Sequence, residues 1–591
     1  MKAFTEPLLS LAGFEEMTKT AEKSSGLISV TGCIDAQKSQ MIYAFGGHRK
    51  NKLIVTFGEQ KAKELYDEYS FFDKEVVYYP SKDVLFYQSD IRGNLLTAER
   101  IRALKAIREQ ERVTLVTTFD ALMNTMAPIE KMWENVLTLE QGQLLDLKEI
   151  QAALIRMGYE KEYQVQTMGQ FSVRGGILDV FPLTEENPIR IELWGDEIDT
   201  IRYFDCESQK SIENIDRVSI YPAAELVLSD EEKAGGIEKL KAEAKRVSDK
   251  LRKQMKTEEA HRVTVMADEL IEEWGELSMY AGMDAFLSYF FDERVGLLDY
   301  FKPSDSLIFF DELTRCTEQG KLTETEFSES MKQRLAMGYI LPGQMNGLFT
   351  EKEIVAKLEK YSCIALGALD NKANGLHQLG SYGIHCQSVS PYNNSFELLI
   401  KDLKRYKKNG YRVILLSGSR TRAKRLSEDI TDQGITCFYT ENYDHELFEG
   451  QIMVCYGKVR RGFEYPILKF AVITESDIFG AQQKKKKRHR TYEGEKIQSF
   501  TDLSVGDYVV HENHGLGIYR GIEKLEVDKK VKDYIKIEYQ GGSNLYILAT
   551  QLDMIQKYAG KDARKPKLNK LGGQEWTRTK NRVRGAVKQI A

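Results

Sequence analysis

Short apolar runs alternate with amphipathic stretches along the first hundred residues. Leu27-Ile28-Ser29-Val30-Thr31 predicts a strand, and the apolar positions that follow predict a helix through Met41 and Phe45. The run 53–57 predicts a second strand, with a helix from about Glu59 to Phe71, and the runs 76–79 and 113–117 repeat the pattern. Strands alternating with helices in this way predict a parallel sheet covered by helices.

The patterning changes near Asn135. Between Gln164 and Pro222, short strands separated by turn residues dominate, with 171–176 and 189–194 the clearest, and they predict an α+β insertion. A charged helix over roughly 230–274 follows, with Glu and Lys at i,i+4 spacings that support an exposed helix. Leu307-Ile308-Phe309-Phe310 reads as a buried strand ending in the acids Asp311 and Glu312. A further α/β unit spans 396–480, with strands at 412–416, 452–456 and 470–473. Beyond a polar stretch, Ile535, Ile537 and Tyr539 alternate with Tyr534, Lys536 and Glu538. Gly541-Gly542-Ser543-Asn544 then leads into Leu545-Tyr546-Ile547-Leu548, a period-two hairpin signal inside a small all-β unit of about 503–558. No internal repeat is visible.

Composition narrows the classes of function. The chain has 591 residues, enough for roughly three to five domains. Its net charge is −5, so no global basic field draws it onto nucleic acid and protein partners are favoured. The seven cysteines form no CxxC pair, which argues against a zinc ribbon or thioredoxin-type site and suits a reducing compartment. The N-terminus lacks the layout of a signal peptide, and no apolar run approaches the ~20 residues of a membrane span, so the expectation is a cytoplasmic protein without membrane contact.

One motif carries candidate chemistry. Gly32-Cys33-Ile34-Asp35-Ala36-Gln37-Lys38-Ser39 follows a strand and opens a helix, as a phosphate-binding loop does. It fits GxxxxGK[ST] except that Gln37 stands at the second glycine, adding bulk where backbone N–H groups would wrap a phosphate. Asp311 and Glu312 resemble the acids that hold Mg²⁺ beside such a loop. Gly32, Gln37, Lys38, Ser39, Asp311 and Glu312 therefore read as a degenerate nucleotide loop. The reading kept beside it is residual nucleotide binding. No catalytic residue and no metal site are expected; His511 and His514 lie close together, but no further Cys or His is near in sequence.

Two long stretches carry a family resemblance. The first is Gly169-Gln170-Phe171-Ser172-Val173-Arg174-Gly175-Gly176-Ile177-Leu178-Asp179-Val180-Phe181-Pro182 together with Pro188-Ile189-Arg190-Ile191-Glu192-Leu193-Trp194-Gly195-Asp196-Glu197-Ile198. The second is Gly506-Asp507-Tyr508-Val509-Val510-His511-Glu512-Asn513-His514-Gly515-Leu516-Gly517, continuing through Leu545-Tyr546 and Tyr558-Ala559-Gly560 to Lys570-Leu571-Gly572-Gly573. They resemble the excinuclease-B-like module and the RNA-polymerase-interacting domain of the bacterial transcription-repair coupling factors. Full-length members continue into an ATP- and Mg²⁺-dependent helicase motor, a DNA translocase; residues 1–591 hold no second phosphate loop, so the expectation is a chain without that motor, its basic tail reading as an unfinished helix at Ala591.

The resemblance implies a multidomain α/β fold: a degenerate P-loop-type parallel-sheet domain (1–134 and 223–392) with an α+β insertion that binds the excinuclease component UvrA (135–222). A second small α/β domain follows (393–481), then a basic linker (482–500). A Tudor- or SH3-like β-barrel that binds the RNA polymerase β subunit (501–560) precedes a basic helical tail (561–591). It places the UvrA contact on Arg174, Arg190 and Trp194. The alternative is that Arg190 pairs with Glu192 or Asp196 within the sheet and Trp194 packs in the core. It places the polymerase contact on 521–527, with Ile522, Leu525 and Val527 and an open strand edge, Leu525 foremost; the alternative makes Leu525 core and covers the edge with Lys529 and Lys530. Lys484, Lys485, Lys486, Lys487, Arg488 and Arg490 could touch DNA phosphates or form a solvated linker. The function implied is an adaptor of transcription-coupled repair without cofactor, DNA being reached indirectly. Alternatives are a CarD-like transcription regulator or an ATP-dependent helicase or excinuclease component.

Overall fold

The computed structural model describes residues 1–45, 49–82, 94–206, 208–276, 283–369, 375–480, 495–496, 503–511, 515–527, 530–541, 543–548, 555–558 and 568–569. The predicted parallel sheet has seven strands, in the order Gln378–Gly383, Gly26–Thr31, Ser362–Leu366, Ser306–Asp311, Asn51–Thr56, Val113–Thr118, Val77–Tyr79. All neighbours are parallel. Val113–Thr118 and Ser306–Asp311 are buried at every position, as parallel strands are when both faces are covered. The degenerate loop leaves the C-terminal end of Gly26–Thr31, and the acids leave the same end of Ser306–Asp311, two strands away in the sheet.

Two N-terminal helices, Lys2–Leu9 and Phe14–Lys23, were not foreseen in the patterning. Phe4 packs edge-on against Phe71 and Phe72, each at 5.6 Å between ring centres. The core that holds Phe4, Phe14 and Ile28 also holds Ile414, Met453, Phe463 and Phe470. The first α/β unit and the one following it thus share apolar packing.

The single charged helix expected over 230–274 is instead two, Asp230–Lys253 and Thr257–Glu276. The chain reverses at Met255, with φ 62°. Leu240, Ala244 and Leu251 then pack in one cluster with Ala260, Val263 and Ala267. A lone amphipathic helix could not bury that stripe, and a charge pattern at helical spacing runs through so short a break unchanged.

The insertion forms a six-stranded sheet ordered Ser211–Ile215, Glu197–Phe204, Ile189–Trp194, Ile177–Val180, Gln170–Arg174, Glu160–Lys161. The later α/β unit has a six-stranded sheet whose parallel centre is Phe470–Thr474, Arg412–Ser417, Ile452–Tyr456. That sheet takes its edge strand, Gln387–Ser388, from ahead of residue 393. The C-terminal unit is an antiparallel sheet in the order Glu495–Lys496, Ile555–Lys557, Tyr508–His511, Gly515–Val527, Lys530–Glu538, Asn544–Leu548. Among the described residues no pairing joins its two ends. No described helix is long and apolar enough to cross a membrane.

Candidate functional site

The degenerate loop is built from committed groups. Gly32 has φ 77°, and a Cβ there would meet the Ile384 carbonyl oxygen at 2.1 Å, so only glycine fits. Its N–H donates to the Ala368 carbonyl at 3.2 Å, and the Cys33 N–H donates to Gly367 at 3.0 Å. These two amides at the entry to the loop are spent on the neighbouring strand end. Gln37 is fully buried within helix Asp35–Phe45.

Lys38 is 2% exposed, and its ammonium donates to Asp311 Oδ1 at 2.5 Å, Glu312 Oε1 at 3.0 Å and Asp35 Oδ1 at 3.1 Å. Lys61 joins from the next helix, 2.9 Å from Asp35 Oδ2. Burial by itself would lower the Lys38 pKa, but Asp311 foremost, with Asp35 and Glu312, outweighs it and raises it. Burial would raise Asp35, but Lys61 and Lys38 bring it down to about 2. Asp35, Asp311 and Glu312 against Lys38 and Lys61 leave three carboxylates facing two ammonium groups, a net negative cluster. Such a cluster repels a polyphosphate. Sequence reasoning brought Lys38, Asp311 and Glu312 together correctly but missed Asp35 and Lys61, whose roles depend on the helices placed around the loop.

The insertion presents a second constellation. Ile189 and Ile191 are buried, while Arg190, Glu192 and Trp194 take the opposite face of the strand, as period two requires. Trp194 is 85% exposed and does not pack in the core. Arg190 does not pair with Glu192 or Asp196. Its Nε donates to Asp179 Oδ1 at 2.7 Å and its Nη2 to Asp179 Oδ2 at 2.8 Å, and Nη2 also donates to Gln209 Oε1 at 2.8 Å. Arg174 Nη2 reaches the same Asp179 Oδ2 at 2.8 Å. Glu192 is taken by Arg202. The Arg190 guanidinium lies 4.4 Å from the centre of the Phe204 ring, and the Asp179 carboxylate raises the Arg190 pKa further. Beside Trp194 a groove of about 710 Å³ is lined by Glu140, Glu197, Asp199, Asp216 and Arg217. Asp179 escaped the sequence reading; the available signal was a lone acid inside the apolar strand Ile177-Leu178-Asp179-Val180.

In the C-terminal unit, the long strand Gly515–Val527 pairs with Tyr508–His511 only as far as Ile518. On its other side it pairs with Lys530–Glu538 from Ile518 to Val527, with a bulge at Arg520. The stretch 521–527 therefore has one edge without a strand partner among the described residues. Ile522 packs partly buried against the core. The backbone of Leu525 and Val527 lies in the strand; their side chains fall outside the described residues, as do Lys529, His514 and the basic run 484–490. Lys530 pairs in register with Val527. Among the described residues no group of His, Cys, Asp and Glu is arranged to hold a metal.

Residues 137–226 match the family described as UvrB interaction domain, and residues 503–559 match the CarD-like/TRCF RID domain. The fold and these two modules define a multidomain α/β protein that joins a repair-protein module to a transcription-factor module. Over most of its length the chain is similar to transcription-repair-coupling factors. It is 32% identical over 541 residues to that of Bacillus subtilis (strain 168), covering 91% of this chain and 45% of that protein. It is 30% identical over 589 residues to that of Staphylococcus aureus (strain MRSA252), covering 98% of this chain and 49% of that protein. The chain thus matches the N-terminal part of the transcription-repair-coupling factors and spans a little under half the length of these relatives.

Proposed function

We propose that the chain is an adaptor of transcription-coupled DNA repair: its C-terminal unit grips RNA polymerase, and its insertion recruits the excinuclease. The observation that carries this reading is the presence, on one chain, of a UvrB interaction domain and a CarD-like/TRCF RID domain. At the finer level, the partner of the insertion is UvrA, met by Arg174, Arg190 and Trp194. An exposed tryptophan on the same sheet face as two arginines has the make-up of an interface hot spot, one supplying apolar area and the others the N–H groups left over from Asp179 for charge-assisted bonds to carboxylates.

The polymerase contact is the β subunit, added as a strand along the open edge of 521–527, with Ile522, Leu525 and Val527 supplying the apolar contact. The sheet of the C-terminal unit curls into a Tudor-like barrel on this reading. The parallel-sheet domain serves as a scaffold without nucleotide or metal: Lys38 is held by three carboxylates, and the Gly32 and Cys33 amides are bonded to Ala368 and Gly367.

A pull-down tests both contacts. Arg174→Ala/Arg190→Ala/Trp194→Ala should abolish capture of UvrA and leave polymerase capture intact, and Leu525→Glu should do the reverse. Retention of both partners by both variants would remove the site assignment, and failure of the wild-type chain to capture either partner would end the adaptor reading. The description of residues 503–559 also favours a second reading, a CarD-like transcription regulator. It would be preferred if the chain bound polymerase but no component of the excinuclease.

A further inference from the structure

Resting on the docking reading just given, we infer that Asp179 is a positioning residue that pins the Arg174 and Arg190 guanidinium groups side by side, so that their free N–H groups meet an acidic patch on the partner. Asp179 is 1% exposed, so it cannot itself be the contact. Its two oxygens accept three charge-assisted bonds: from Arg190 Nε at 2.7 Å, Arg190 Nη2 at 2.8 Å and Arg174 Nη2 at 2.8 Å. One oxygen serves both arginines, which fixes the guanidinium groups relative to each other as well as to the sheet.

The sheet dictates this arrangement. Asp179 stands opposite Arg190 in one strand pair and opposite Ser172 in the other, two residues before Arg174. Arg190 is held from a further side by the Phe204 ring at 4.4 Å and by Gln209 Oε1 at 2.8 Å. Among the described residues, Arg190 Nη1 and Arg174 Nε and Nη1 have no acceptor. Two positive groups share one carboxylate, so the patch keeps a net positive charge with its remaining donors already aimed. Two long side chains ordered before binding lose less freedom when a carboxylate-bearing partner arrives.

Net charge and positioning predict opposite signs. Replacing Asp179 by Asn removes a negative charge beneath the patch; if charge alone governed docking, an acidic partner would bind more tightly. If pinning governs, binding weakens. The experiment measures affinity of the full chain for purified UvrA in D179N, in R174A/R190A and in the triple variant. D179N should bind about tenfold more weakly, and in the R174A/R190A background it should cost nothing further, because Asp179 acts only through the arginines. Phe204→Leu, which removes the second support of Arg190, should weaken binding in the same direction with the carboxylate still present. A readout independent of the partner is the Arg190 Nε–H resonance, expected to be shifted and slow to exchange in the free wild-type chain and to lose both properties in D179N. Wild-type or tighter binding by D179N, or a further loss in the triple variant, would overturn the inference while leaving the docking reading in place. Undiminished binding by R174A/R190A would overturn the docking reading, and this inference with it.

Discussion

The Lys38 ammonium lies 2.5 Å from Asp311 Oδ1, and both side chains are almost fully shielded from water. In a phosphate loop that lysine would face a triphosphate; here a carboxylate of the same sheet edge takes the position of the anion. The pair ties the first turn of the helix Asp35–Phe45 to the end of the strand Ser306–Asp311, and stability is expected to depend on it. Among the described residues, Lys38→Ala leaves the buried Asp311 carboxylate with only Lys61, 3.9 Å away, and should destabilise the domain by about 3 kcal/mol, whereas Lys38→Met combined with Asp311→Leu should recover most of that loss. Urea unfolding of the two variants measures the difference.

The substituted glycine is not the only obstacle to nucleotide. With Lys38 held by Asp311, Glu312 and Asp35, Gln37→Gly alone should not create saturable ATP binding. Titration with a fluorescent ATP analogue in the presence of Mg²⁺ checks this, and a hyperbolic isotherm for the Gln37→Gly chain would contradict it.

Glu68 marks the junction between the first and second α/β units, where its Oε1 accepts the Arg460 N–H at 3.2 Å. Burial raises its pKa from 4.5 to about 7. A carboxyl that holds its proton more tightly when folded contributes stability that is complete below pH 4.5 and is lost as the pH rises through 7. The wild-type chain should therefore lose more thermal stability between about pH 5.5 and 8.5 than Glu68→Gln does. Parallel melting curves for the two chains would be expected only if Glu68 titrated normally.

Gly517 lies where two strands of the C-terminal unit approach closely. A Cβ there would meet Ile537 Cγ2 at 2.4 Å and the Glu538 carbonyl oxygen at 3.0 Å. Gly517→Ala should cost about 1–3 kcal/mol through overpacking. Hydrogen exchange along 530–538 should rise, with the seven-stranded sheet unaffected.

Periodicity and local chemistry announced most of the sheet strands of this protein, but not the helices Lys2–Leu9 and Phe14–Lys23 or the break at Met255. The short apolar and β-branched runs around Val30, Val55, Val116 and Phe309 announce a parallel sheet, and the strand–loop–helix around Lys38 identifies itself by spacing, because both signals lie within a few residues of chain. The alternation from Ile189 to Trp194 likewise places Trp194 on the solvent face. What Arg190 bonds to is not legible in the sequence, and Lys38 groups there with Asp311 and Glu312 only as parts of one loop motif, not as a direct ion pair. Asp311 is 273 residues from Lys38, and Glu192, the near neighbour weighed for Arg190, is taken by Arg202. Only strand order brings Asp311 to the loop, and only cross-strand register sets Asp179 beneath Arg190. A charge in sequence has many candidate partners, and burial chooses among them, since an ion removed from water must be met by whichever opposite group the fold delivers to it.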